Sequence, residues 1–308
     1  MALPITQKDI SKNIGRIVNS PILISSISQF ESIDKEAFLG FFSPLFEEMS
    51  WDYYDVKRLQ VEYLVSLFQS EADEIKGLLK DYYTNKKELS IFSNWINQLS
   101  PTQKINFDEI QPWRRRSVCQ YLLTEVDANI NLVRKPVPQF AQELESDDIR
   151  SWPRVFDESP ESHVENKHFH NLLKEVFAVV KSKSREKVSK LEITAHFMSV
   201  RALPQIPGDN SPEGAHEDGA DFIISALVVN RVNLKGGESQ IIELVKSGEK
   251  EIICRHTLQP GEFAFQADSK DELVYGTDLW HHVTPFHMAD EKGADAWRDI
   301  IGFDINIL

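Results

Sequence analysis

His216, Glu217 and Asp218 stand together between Gly214 and Gly219, and a histidine pair, His281-His282, follows much later in the string HHVTP. An H-x-D pair plus one distant histidine is the ligand inventory of the 2-His-1-carboxylate facial triad. That triad holds Fe(II) on three positions and leaves the opposite three open, an arrangement suited to oxygen activation. In an extended segment, residues i and i+2 point to the same side, so one intervening residue is enough to aim His216 and Asp218 at one ion. The flanking glycines permit a tight turn at a strand end. The local string HED also opens a zincin helix motif, but Ala220 stands where that motif requires its second histidine, which disfavours a zinc protease. Adjacent strand residues face opposite sides, so only one of His281 and His282 can reach the ion. Taken alone, H-x-D is a weak signal, because a lone buried histidine is more often a satisfied core residue.

The elements that must position these side chains differ along the chain. Gly15, Gly40 and Gly77 are the only glycines before Gly208, whereas the other ten of the 13 lie between Gly208 and Gly302, and all nine histidines lie at His163 or later. Glycine punctuates hairpins and bulges, so the two parts should differ in architecture. In the first part, Trp51 to Phe68 carries Val56, Leu59, Tyr63, Leu64, Leu67 and Phe68, close to the i, i+3, i+4, i+7 stripe of an amphipathic helix. Similar stripes predict helices at Glu36–Met49, Glu71–Tyr83, Ile91–Leu99, Arg116–Val126 and Asn166–Lys181. Pro101, Pro136 and Pro138 break the pattern, and Glu143–Trp152 predicts a loop-rich connection.

From Lys190 the period becomes two: Leu191, Ile193, Ala195 and Phe197 alternate with Glu192, Thr194, His196 and Met198, the mark of a half-buried strand. Further extended segments are predicted at Asp221–Asn230, Ser239–Val245, Glu251–Leu258, Glu262–Gln266, Leu279–Phe286 and Arg298–Ile307. Gly236-Gly237, Ser247-Gly248 and Pro260-Gly261 separate them as turns, which suggests a sandwich or jelly roll. The expected organisation is α+β, with a helical region over residues 1–150 and a β domain over 151–308 that holds all the metal candidates.

Composition narrows the partners. A chain of 308 residues, 41% hydrophobic and 27% charged, can bury a substantial core. A formal net charge of −14 opposes sequence-independent attraction to nucleic acid or an anionic membrane, since both need clustered Lys and Arg. Arg114-Arg115-Arg116 is a short basic run that reads as the solvated face of a helix. Cys119 and Cys254 are far apart, with no C-x-x-C spacing, and are expected to be reduced structural thiols. The N-terminal stretch lacks a continuous apolar segment, and the apolar strip Ile223–Val229 is far too short to cross a bilayer, so a cytoplasmic location is expected.

Four ordered motifs carry a resemblance to a known family: PEGAHEDGADF (Pro212 to Phe222), LVVNRVNLKGGES (Leu227 to Ser239), HHVTPF (His281 to Phe286) and WRDIIGF (Trp297 to Phe303). Over roughly Leu191 to the C-terminus, the chain resembles a bacterial 2OG-Fe(II) dioxygenase family that includes free-amino-acid hydroxylases such as isoleucine dioxygenase. The resemblance implies a double-stranded β-helix, with the helical region packed on it and with His216 and Asp218 as proximal ligands. The distal motif of many related oxygenases looks like H-x-V-T-P, which makes His281 the third ligand and leaves His282 as a neighbouring or substrate-facing group. The implied cofactors are Fe(II), 2-oxoglutarate as cosubstrate and O2. The implied reaction is hydroxylation of a small molecule, a free L-amino acid or close derivative, with release of succinate and CO2.

The far carboxylate of 2-oxoglutarate needs a buried cation, and Arg298, at the start of the last predicted strand, offers a planar fork for it. Its competing reading is a surface ion pair with Asp299. Arg201 and Arg255 are candidates for a substrate carboxylate but read more simply as solvated strand residues, while Asp221, Arg231 and Glu238 have no fixed direction. His168 and His170 diverge by about 200° on a helix of 3.6 residues per turn and make a poor chelate. Trp280 either packs or helps to exclude water. A peptide or protein hydroxylase with the same iron chemistry and a cupin-like metal protein without oxygen chemistry are the competing functions. A homodimer stays open.

Overall fold

The computed structural model describes residues 20–84, 88–110, 112–137, 152, 154–204, 206–212, 214–244, 249–268, 274–290 and 295–308. In chain order the strands and α-helices are β1 (Ile22–Ser26), α1 (Lys35–Phe42), α2 (Leu45–Glu48), α3 (Tyr54–Leu67), α4 (Ala72–Thr84), α5 (Ser93–Ile96), α6 (Pro101–Asp108), β2 (Arg114–Val126), β3 (Asn129–Lys135), α7 (Glu161–Val164), α8 (Lys167–Lys183), β4 (Lys190–Ala202), β5 (Phe222–Val232), β6 (Leu234–Gly236), β7 (Ser239–Leu244), β8 (Lys250–His256), β9 (Glu262–Ala267), β10 (Leu279–Val283), β11 (Phe286–Met288) and β12 (Ala296–Ile307). Contacts divide the described residues into two units: 20–49, 116–137 and 157–308 form one, and 50–115 with 152–156 form the other. The larger unit therefore draws on both sides of the expected boundary between 150 and 151. No helix among the described residues is long and apolar enough to cross a membrane.

The smaller unit is built on α3 to α6. Val61, Leu64, Ile75, Tyr82, Phe92, Trp95 and Phe107 form its core. Pro101 does not break this region as expected from the sequence; it begins α6. Ser100 accepts from the Gln103 N–H while the Gln103 side chain accepts from the Ser100 N–H, and proline at the first turn sacrifices no helical hydrogen bond.

The larger unit holds a seven-stranded sheet in the order β1-β9-β5-β12-β4-β2-β3 and a three-stranded sheet in the order β10-β7-β8, with β11 and β6 paired separately. The β1–β9, β9–β5, β5–β12, β12–β4, β2–β3, β10–β7, β7–β8 and β11–β6 pairs are all antiparallel. Period-two patterning explains the two faces of the large sheet. Ala195, Phe197, Ile301, Phe303 and Ile305 point to one side and pack with Phe38 and Phe42 of α1 and Phe169, Leu173, Val176 and Phe177 of α8. On the other side, Ala226, Val228, Ala264 and Ile300 cluster with Leu258, Met198 and Ile24. Ile24 also packs with Ile22, Ile241, Ile253, Cys254 and Leu279, which brings the three-stranded sheet over this inner face.

Two expectations for the first part of the chain are corrected. Arg116–Val126 lies in strand β2, not in a helix, and β1 and β3 add further strands to what reads as an all-helical region. The apolar residues of Arg116–Val126 satisfy both periods. Pairing within the sheet decides between them, because it buries Cys119, Tyr121 and Leu123 against the helices. Arg114-Arg115-Arg116 is correspondingly not one basic face. Arg114 is 7% exposed and lies 3.6 Å from Asp55, Arg115 lies over the Trp51 ring, and Arg116 reaches His196. The loop expected at Glu143–Trp152, save Trp152 itself, and the turn at Ser247-Gly248 lie outside the described residues.

Asp299 faces the helix side of β12, where it is 2% exposed and accepts from Asn230 Nδ2 at 2.7 Å. Burial pushes its carboxyl up to about 6, against the opposing bonds from Ser199 and Asn230. The folded chain thus holds this proton more tightly than the unfolded chain. The associated stability is present below about pH 4 and is lost as pH rises to about 6. Asp299→Asn removes that loss, so urea midpoints compared from about pH 4 to 7 should move in favour of the variant by on the order of 2–3 kcal/mol. A stability difference that does not change with pH contradicts this reading.

Candidate metal centre

His216 and His281 are joined through their backbones. His216 N donates to His281 O at 3.1 Å, and His281 N donates to His216 O at 3.0 Å. Directly opposed residues of an antiparallel pair project to the same side. The two imidazoles therefore face one another, with ring centroids 4.3 Å apart. His281 sits on β10 opposite Ile241 of β7, on the buried side of the three-stranded sheet. His282 is on the other side, with Nδ1 3.4 Å from Gln240 Oε1, so the structure brings His281, not His282, to His216.

Asp218 completes the group. Its Oδ1 is 3.5 Å from His216 Nε2 and its Oδ2 is 3.4 Å from His281 Nε2. The three donor atoms lie within 4.8 Å of one another, close enough to share one divalent cation, and theirs is the one such three-residue group among the described residues. Gly214 and Gly219 bracket the segment at φ +81° and +88°, a backbone state that L side chains rarely adopt, as the tight turn anticipated from the sequence requires. The Gly214 carbonyl is 2.9 Å from His216 Nδ1 and accepts its proton, which orients the ring with Nε2 toward Asp218.

A carboxylate that sequence reasoning missed holds this segment from behind. Asp268, fully buried, accepts the backbone N–H groups of Asp218, Gly219 and Ala220 at 3.0, 2.8 and 2.9 Å. Burial and the neighbouring Asp218 charge push its carboxyl up to about 7, while the N–H donors pull the other way. Nothing local marked it, since it lies far along the chain at the end of β9. For Asp218 itself, burial works to raise the carboxyl, but His281 and His216 outweigh it and hold the group well below the usual carboxylate range. It is an anion, ready to bind a metal, at neutral pH.

Arg298 is the fully buried cation of the inner face. Its Nη1 donates to Asn210 Oδ1 at 2.9 Å, while Nε and Nη2 have no hydrogen-bond partner among the described residues. Burial lowers its pKa to about 9, helped by the charge of Arg231, which stands directly opposite on β5. The ion pair with Asp299 does not occur, because Asp299 points to the opposite face. A guanidinium so placed needs an anion.

The remaining sequence candidates take ordinary partners. Arg201 pairs with Asp295 and Arg255 with Glu238, both at 3.2 Å and partly exposed. His168 stacks on Phe41 while His170 approaches Glu165. Trp280 donates to Asp278 and lies under Lys250, on the face of β10 away from His281. Asp221 accepts from Ile307 N, Glu238 accepts from Gln240, and Gly236-Gly237 forms the expected turn at positive φ.

Residues 96–304 match the family profile described as 2OG-Fe dioxygenase. No curated protein matches the sequence. Among solved structures, IDO from Bacillus thuringiensis is 14% identical over 93% of this chain and 92% of its own, with a TM-score of 0.53. A bsmA homolog from Methylobium petroleophilum PM1 is 19% identical over 63% of this chain and 72% of its own, with a TM-score of 0.48. At such identities these likenesses concern the fold alone. The profile match, by contrast, runs from before β2 into β12 and takes in His216, Asp218, Asp268, His281 and Arg298, so the chain belongs to the 2OG-Fe dioxygenase family.

Proposed function

We propose that this enzyme hydroxylates a C–H bond of a free L-amino acid or close derivative, with iron on His216, Asp218 and His281 and the far carboxylate of 2-oxoglutarate on Arg298. Family membership makes the chain an oxidoreductase that uses Fe(II), 2-oxoglutarate and O2. When bound, these supply the oxidation itself, in which the keto acid leaves as succinate and CO2 while one oxygen atom enters the substrate. The protein's part is to hold, orient and desolvate.

The observation that carries the ligand assignment is the convergence of three donor atoms within 4.8 Å, from two imidazoles and one carboxylate held ionised. That donor set suits Fe(II) and leaves positions for a chelating keto acid. Arg298 supports the cosubstrate reading independently, since its Nε and Nη2, without a hydrogen-bond partner among the described residues, form one edge of the fork that binds a carboxylate in bidentate fashion. The double-stranded β-helix belongs to the same proposal and is supported by two antiparallel sheets that meet around Ile24. The amino-acid substrate is supported by the resemblance of the four sequence motifs to those of free-amino-acid hydroxylases.

His216→Ala and Asp218→Ala should each abolish iron retention and substrate-dependent succinate formation, measured by metal analysis after dialysis and by mass spectrometry. Full iron occupancy with undiminished succinate would refute the assignment. Arg298→Met should raise the melting temperature of the ligand-free protein, because it removes a buried charge, and should erase the stabilisation that 2-oxoglutarate gives the parent. A variant still stabilised by 2-oxoglutarate would show that the anion binds elsewhere. Asp268→Asn should weaken metal binding by about 10- to 100-fold through loss of its grip on the Asp218 segment, as read by titration with Mn(II).

A further inference from the structure

Arg231 lies in the LVVNRVNLKGGES motif, and the sequence alone gives its side chain no direction. The sheet supplies one. Arg231 stands directly opposite Arg298 on the neighbouring strand β5, and directly opposed residues of an antiparallel pair project to the same side. The acidic residues nearest to the two in sequence are engaged elsewhere: Asp299 with Asn230 on the helix face, and Glu238 with Arg255 and Gln240. Neither guanidinium forms an ion pair with a carboxylate among the described residues. Like charges placed directly opposite destabilise a strand pair, and the charge of Arg231 adds to what the burial of Arg298 costs.

The same motif holds Arg231 in place. The Gly236 carbonyl accepts from its Nη2, and Gly237 lies so close that an added Cβ would stand 3.1 Å from Nη1 and 3.5 Å from Phe286 Cδ1. Phe286 is joined to Gly208 by reciprocal backbone hydrogen bonds of 2.9 and 3.0 Å, and Asn210, two residues further on, accepts from Arg298 Nη1. The two arginines therefore border one corner of the inner face. Part of the Arg231 side chain reaches solvent, but its Nη1 is buried and has no hydrogen-bond partner among the described residues. Nε and Nη2 of Arg298 are in the same condition. Three buried donors on two cations are left for a ligand to satisfy.

We propose that Arg231 is a second cation for the far carboxylate of 2-oxoglutarate, so that two guanidiniums on paired strands share one anion and select a keto acid with a charged far end. This assignment rests on the reading of Arg298 given above. One carboxylate suffices for both arginines, because its two oxygens offer about four lone-pair sites. Arg298 brings the Nε and Nη2 edge of its fork, and Arg231 brings Nη1. An arginine that only pinned the Gly236-Gly237 turn would support folding without regard to the charge of the ligand.

The test loads the full chain with Mn(II) and measures, by titration calorimetry, the binding of 2-oxoglutarate and of 2-oxopentanoate, which carries a methyl group in place of the far carboxylate. Arg231→Gln should raise Kd for 2-oxoglutarate about 10- to 100-fold, the loss expected for a hydrogen bond to a charged group, and leave that for 2-oxopentanoate unchanged. Arg231→Lys, which restores the charge, should recover part of the loss. An unchanged Kd for 2-oxoglutarate, or equal losses for both keto acids, overturns the assignment. A structure of the parent with Mn(II) and 2-oxoglutarate decides without any variant: the far carboxylate should lie within about 4 Å of both guanidiniums, and one held by Arg298 alone overturns the role of Arg231. If Arg298→Met binds 2-oxoglutarate as tightly as the parent, the cosubstrate reading itself has failed, and the role of Arg231 falls with it.

Discussion

The reciprocal backbone pair between His216 and His281 is the constraint on which the site depends. Two hydrogen bonds of 3.0 and 3.1 Å fix a loop residue against a strand residue, and antiparallel geometry then turns both imidazoles to one side. Everything else in the centre adjusts to that clamp. Asp218 reaches the same space because it lies two residues along from His216, and Gly219 lets the chain turn away immediately after it. Asp268 then holds that turn by three N–H groups, so the carboxylate does not have to find its position when a ligand arrives.

The larger unit buries more charge than folding alone would favour. Asp218, Asp268, Arg298 and Asp299 are all removed from water to a large degree, and Arg298 faces Arg231 with no carboxylate partner among the described residues. Burying an unpaired ion is costly, and an apolar residue of similar size would often be more stable in its place. Such local violations are expected where a site is preorganised for ligands that bring the opposite charge. In the function proposed above, the complements would be a divalent cation at the two imidazoles and the carboxylate, and a carboxylate at Arg298.

The candidate metal donors and Arg298 could be picked out of the sequence because the chemistry proposed for them is carried by local spacing and ordered motifs. H-x-D needs only an extended backbone; strand alternation lets just one of His281 and His282 face the ion, and the resemblance of HHVTP to the H-x-V-T-P motif picked His281. The strands after Lys190 were legible for the same reason, a period of two sustained through Leu191, Ile193, Ala195 and Phe197. Strand β2 was not, because Val118, Cys119, Leu122 and Leu123 fit a helical stripe equally well, and only pairing within the sheet decides. Asp268 and Asn210 were invisible for a different reason: each acts on residues far away in the chain, and no periodicity or local motif records such contacts.

The most direct test of the central claim is a crystal structure of the protein grown anaerobically with Fe(II) and 2-oxoglutarate. The account predicts one metal ion bound by His216 Nε2, an Asp218 carboxylate oxygen and His281 Nε2, with the far carboxylate of 2-oxoglutarate against Nε and Nη2 of Arg298. A metal held by His282 or by other residues, or a cosubstrate whose far carboxylate is not on Arg298, would contradict it.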